Sequence, residues 1–178
     1  MRIACVARVK RTMKLAKTIR FDPSDLNVFP VAADEGEWAV VGTFCFANME
    51  RDALKGKVRQ AFSNGFLGLG SFGFSTLISV VTAKPFDLEM VEDALVARFI
   101  ADFGAPDDAA ARIAAKEEIS FMAELCAAHK TGTLLAIQRE ITDDGIAETF
   151  RSLPKPDSCA EQKIWTLVDD NDDAVSGI

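Results

Sequence analysis

TLLAIQREITDDGIAETFRSL, residues 133–153, is the stretch whose reading decides the fold. Residues 133–142 and 146–153 are two β-compatible runs flanking Asp143-Asp144-Gly145. Asp-Gly between such runs marks a tight antiparallel hairpin, because glycine tolerates the positive φ the turn needs. A chain that closes on a hairpin places strands at its C-terminal end, so the helical stretches must lie upstream.

Upstream the period changes. Ile119, Met122, Leu125 and Cys126 recur at helical spacing, in a helix expected to begin at Asp107-Asp108 and to run to about His129, with Gly132 closing it. Before it, Pro85 and Asp87 introduce a helix through Phe103, with Leu88, Val91, Leu95 and Phe99 on its apolar face and Gly104 as its stop. Residues 75–83 (STLISVVTA) are rich in β-branched side chains and are expected as a strand. Leu54, Val58, Ala61 and Phe62 mark a further helix, with Asn48 expected to cap its start and Asn64-Gly65 to end it. Residues 37–47 (EWAVVGTFCFA) are expected as a strand, and 15–21 and 26–32 as two short strands around Asp22-Pro23-Ser24-Asp25. The expected order is β-β-β-α-β-α-α-β-β. It describes an α+β two-layer sandwich, a mostly antiparallel or mixed sheet with helices on one face.

Of the 178 residues, 49% are hydrophobic and 26% charged, an ordinary globular balance with no apolar run near the length that spans a bilayer. A membrane partner is not expected. The formal charge of −7 opposes nucleic-acid binding, which draws on a basic face. Cys5, Cys45, Cys126 and Cys159 are widely separated and include no CxxC pair, so free thiols in a reducing, cytoplasmic compartment are expected. Residues 1–12 are basic, with no apolar periodicity, and are expected to be a disordered leader before a domain over 13–153. Residues 154–178 are Pro-broken and acidic, an expected flexible tail in which Ile164, Trp165 and Leu167 could dock as a short strand.

Gly68-Leu69-Gly70-Ser71-Phe72-Gly73 matches GxGxxG, yet a phosphate loop needs a strand before the glycines and a helix after them. Here a helix enters and a strand leaves. Phe66, Leu67, Leu69, Phe72 and Phe74 are spaced among the glycines and suit either a plug for the sheet end or a binding surface for a partner. A second candidate pocket would bring together Cys45, Arg98 and His129. His129, the one histidine, also suits the C-terminal end of its helix, where a cation complements the dipole. Glu117, Glu118 and Glu124 suggest carboxylate-metal chemistry, but a di-metal bundle needs Glu-x-x-His pairs that one histidine cannot supply.

The segments KTIRFDPSD, EGEWAVVGTF, LKGKVRQAFSNGFLG and FGAPDDAAAR resemble an uncharacterised bacterial family of the domain-of-unknown-function type, over about residues 13–153. The resemblance implies no activity and no catalytic residue. With no triad order, metal set or phosphate loop to read, and no cofactor implied, the expectation is a non-enzymatic accessory domain that binds a protein partner or another copy of itself. A small-molecule-binding domain or enzyme is the competing reading.

Overall fold

The computed structural model of the protein describes residues 12–153. Its strands form one seven-stranded antiparallel sheet in the order β4-β3-β2-β1-β5-β6-β7. In chain order the elements are β1 (Met13–Ile19), α1 (Ser24–Val28), β2 (Trp38–Val40), α2 (Gly56–Asn64), β3 (Phe66–Gly68), β4 (Phe74–Ser75), β5 (Leu77–Ala83), α3 (Pro85–Asp102), α4 (Asp108–Ala127), β6 (Leu134–Thr142) and β7 (Gly145–Leu153). The fold is α+β. The basic leader, Cys5, Cys159 and the candidate strand at Ile164, Trp165 and Leu167 lie outside the described residues.

The C-terminal hairpin forms as read, pairing Thr142 with Gly145 and Leu134 with Leu153. Gly145 has φ 126° and open space around its Cβ position, so backbone conformation alone demands glycine there. Gly145→Val is expected to cost on the order of 1 kcal/mol or more, read from the urea midpoint of the two proteins.

The two long helices start where their cap chemistry places them. Asp107 accepts a hydrogen bond from the Ala110 amide at 2.8 Å, and Asp87 accepts one from the Lys84 amide at 2.8 Å behind Pro85. Gly104, at φ 70°, follows α3, and Arg112 ties the pair by reaching Glu92 at 3.1 Å and Asp93 at 3.2 Å.

Three expectations fail, each for a tertiary reason. Residues 26–32 are not a strand. Leu26–Val28 belong to α1, a single turn held by Asp25, whose buried carboxylate accepts from the Thr76 amide at 3.2 Å and hydroxyl at 2.6 Å. The strand expected over 37–47 stops at Val40, because Gly42 turns left-handed at φ 78° and a Cβ there would meet the Leu67 Cβ at 2.5 Å; Thr43–Phe46 then form a 3-10 turn. The helix expected after Asn48 starts at Gly56, with Lys55 as its N-cap, beyond a second 3-10 turn at Arg51–Ala53. The glycine-rich loop in turn holds the β3–β4 hairpin. The order is therefore β-α-β-α-β-β-β-α-α-β-β.

The sheet is antiparallel, as expected, and curled. Phe66 on β3 stacks on Phe150 of β7 at 6.4 Å, although four strands separate them in the sheet order. Helical cover is divided: α4 contacts β1 and β2, whereas α2 contacts β6. The main core gathers Leu15, Val40, Phe66, Leu67, Ile78, Val80, Leu95 and Met122. A second, smaller one holds Phe29, Phe46, Leu54, Ala61 and Phe62.

Candidate functional site

The glycine motif is organised around an internal carboxylate. The amides of Gly70 and Ser71 both donate to Glu37 Oε2, at 2.8 and 3.0 Å, while Glu37 Oε1 accepts from the Asp34 amide at 2.8 Å. Side chains at Gly68 or Gly70 would run into that carboxylate, since a Cβ would lie 2.6 Å from Glu37 Oε2 at Gly68 and 3.2 Å from its Cδ at Gly70. At Gly73 the obstacle is backbone: a Cβ would lie 2.5 Å from the Ala32 carbonyl carbon. All three glycines are explained by close approach, and the amides that would cradle a phosphate in a nucleotide fold hold Glu37 instead.

Beside this pinned loop lies a cleft of about 370 Å³ between β1–β2 and α3, lined by Lys17, Trp38, Leu69, Gly70, Met90 and Ala94 among others. Leu69 is buried, Trp38 half-buried and Met90 45% exposed. The Lys17 ammonium lies 4.6 Å from the centre of the Trp38 ring, a cation–π arrangement at the rim. An aromatic face, a thioether and one cation can hold an apolar side chain with an acidic neighbour.

The residues singled out from sequence scatter. Phe66 and Leu67 are fully buried core residues; Leu69 alone of the five lines this cleft. Phe74 packs on Phe29 and Phe46. Phe72 is half-buried at φ 57°, with the Arg98 guanidinium 4.5 Å from its ring centre and Phe103 at 6.1 Å. Arg98 also pairs with Asp102 at 3.1 Å on the surface. His129 lies past the end of α4, where its carbonyl accepts from Lys14 Nζ at 2.6 Å. Among the described residues, no hydrogen bond or ion pair joins Cys45, Arg98 and His129, and no cluster of three metal-ligating side chains occurs.

A polar cluster that the sequence reading missed surrounds Arg139 on β6. Its side chain is fully buried, and Nη1 donates to the Phe62 carbonyl at 2.9 Å and the Gly65 carbonyl at 2.8 Å, while Nη2 donates to the Val41 carbonyl. Nε donates to Thr43 Oγ1 at 2.7 Å and approaches Glu148 Oε1 at 3.3 Å; Thr43 in turn donates to Glu148. Leu135, Ile137 and Arg139 alternate onto one face of β6, so an arginine in an inward register was the available signal. Burial pulls the guanidinium down from its ordinary value, and Glu148 opposes the shift.

Two groups beside this cluster are also perturbed. Burial pushes the Cys45 thiol up to about 12 against the opposing pull of Arg139, which keeps it protonated and weakly nucleophilic at neutral pH. Glu118 on α4 is raised to about 7 by burial first and by Glu148 next, with Arg139 opposing. A carboxyl raised in the folded state holds a proton that the unfolded chain has released. Stability should therefore fall as pH rises from about 4.5 to about 7 and flatten above. Glu118 is half-buried, so solvent screening reduces the effect to on the order of 1 kcal/mol. Glu118→Gln is expected to remove that slope from urea midpoints measured across the range.

A curled antiparallel sheet with an apolar cleft beside a pinned glycine loop defines a small α+β domain. The chain belongs to the family of unknown function DUF6505, whose family model matches residues 13–168. The match begins where the resemblance did and continues fifteen residues past Leu153. No curated protein and no solved structure matches the chain. Among the described residues, no helix is long and apolar enough to cross a membrane.

Proposed function

We propose that this chain is a non-enzymatic accessory domain that binds a protein partner through the cleft between α3 and the glycine loop. One observation carries the reading: Trp38 and the exposed Met90 flank a cleft whose loop wall is held in place by Glu37. A preorganised wall lowers the ordering cost of binding, which lets a modest apolar contact yield useful affinity. The partner segment offers one apolar side chain to the space between Trp38 and Met90, and an adjacent acidic residue to Lys17. The expectation of a protein partner is kept, but the surface moves from the buried Phe66 and Leu67 to this neighbouring cleft. Cys45 and Cys126 are free thiols, which accords with a cytoplasmic setting.

Selection from a displayed peptide library tests the assignment. Peptides enriched on the protein should carry an apolar residue beside an acidic one. They should lose roughly 2 kcal/mol of affinity on Trp38→Ala or Met90→Lys, with Met90→Lys leaving the melting temperature unchanged. Binders indifferent to both substitutions would place recognition elsewhere.

A further inference from the structure

β7 is the outermost strand on its side of the sheet, nine residues long, and among the described residues no strand pairs with its outer edge. Unpaired N–H and C=O groups along such an edge are a template for another strand. Two aromatic side chains lie beside this edge. Half-buried Phe150 is met edge-on by Phe121 of α4 at 6.1 Å, and Phe121 is 42% exposed.

The identity of the occupant follows from the chain itself. The family match runs past β7 to residue 168, so what the family shares includes Lys163-Ile164-Trp165-Thr166-Leu167-Val168. In an extended chain Trp165 and Leu167 fall on one side, and Ile164, Thr166 and Val168 on the other. Pro154 lacks an amide donor and suits the end of β7, and residues 154–162 are a connection long enough to reach a neighbouring strand position about 4.8 Å away. A tethered segment also meets this edge at millimolar-scale effective concentration, well ahead of a second molecule in dilute solution.

We propose that residues 163–168 add to the outer edge of β7 as an antiparallel strand, with Trp165 opposite Phe150 and covering Phe121. In that register Thr166 faces Thr149 and Val168 faces Ala147, pairs suited to a β-ladder.

The test uses the full chain with Trp38→Phe, which leaves Trp165 as the remaining tryptophan of two. Its emission should be blue-shifted, resistant to acrylamide and independent of protein concentration, and Phe121→Asp should shift it to the red. Hydrogen exchange on the chain with Trp38 intact supplies a second reading. Leu167→Pro, which removes an amide that faces Glu148 of β7 in this register, should speed exchange of alternate β7 amides by roughly tenfold or more while β5 amides keep their protection. A Trp165 quenched as freely as indole in water, or β7 exchange unmoved by Leu167→Pro, would overturn the proposal. Protection that appears only as the protein dimerises would overturn it in favour of a second copy.

Discussion

Arg139→Met should destabilise the fold by roughly 3–5 kcal/mol, the range expected when one partner of a buried ionic cluster is removed. Methionine fills much of the volume, so the loss isolates the polar term. The carbonyls of Val41, Phe62 and Gly65 lose their donor, and Glu148 keeps its charge with only Thr43 for company. Arg139→Lys should recover only part of the loss, because an ammonium cannot reproduce the planar fork that serves separated acceptors. Urea denaturation measures both variants, and a shift in melting temperature of about 10 °C or more should accompany the methionine change. A loss below about 1 kcal/mol would mean that the carbonyls find other donors.

Phe66→Ala is the other change expected to cost about 3–5 kcal/mol. Phe66 is fully buried and stacks on Phe150, so truncation opens a cavity where the two ends of the curled sheet meet. The same substitution should leave peptide binding at the α3 cleft unaffected once measured on folded protein, since Phe66 does not line it. Calorimetry and a binding titration on one variant separate these outcomes.

Legibility in the sequence followed the range of the interactions responsible. The Asp143–Gly145 hairpin, the start of α3 at Pro85 and the start of α4 at Asp107 rest on contacts within a few residues, and each was readable. β2 ends early where Gly42 turns against Leu67, a contact no local window contains, and the Val41 carbonyl beside that turn goes to Arg139, 98 residues away. α1 displaces an expected strand through the bond from Thr76 to Asp25, across 51 residues. For the candidate site, Leu69 and the glycines were visible as unusual composition. Trp38, Lys17 and Met90 come from three separate elements, and only the folded sheet brings them together.

The anchoring of Gly70 and Ser71 by Glu37 gives the glycine loop a property that its motif alone would misstate. A phosphate-binding loop is completed by a solute and is empty without one. Here the anion arrives on the same chain, 33 residues before Gly70, so the loop is in effect permanently liganded. Any free phosphate would have to evict a tethered competitor, whose local concentration is set by chain geometry and cannot be diluted. Resemblance to GxGxxG thus records the same backbone requirement, amides brought close to a negative group, met from within the protein.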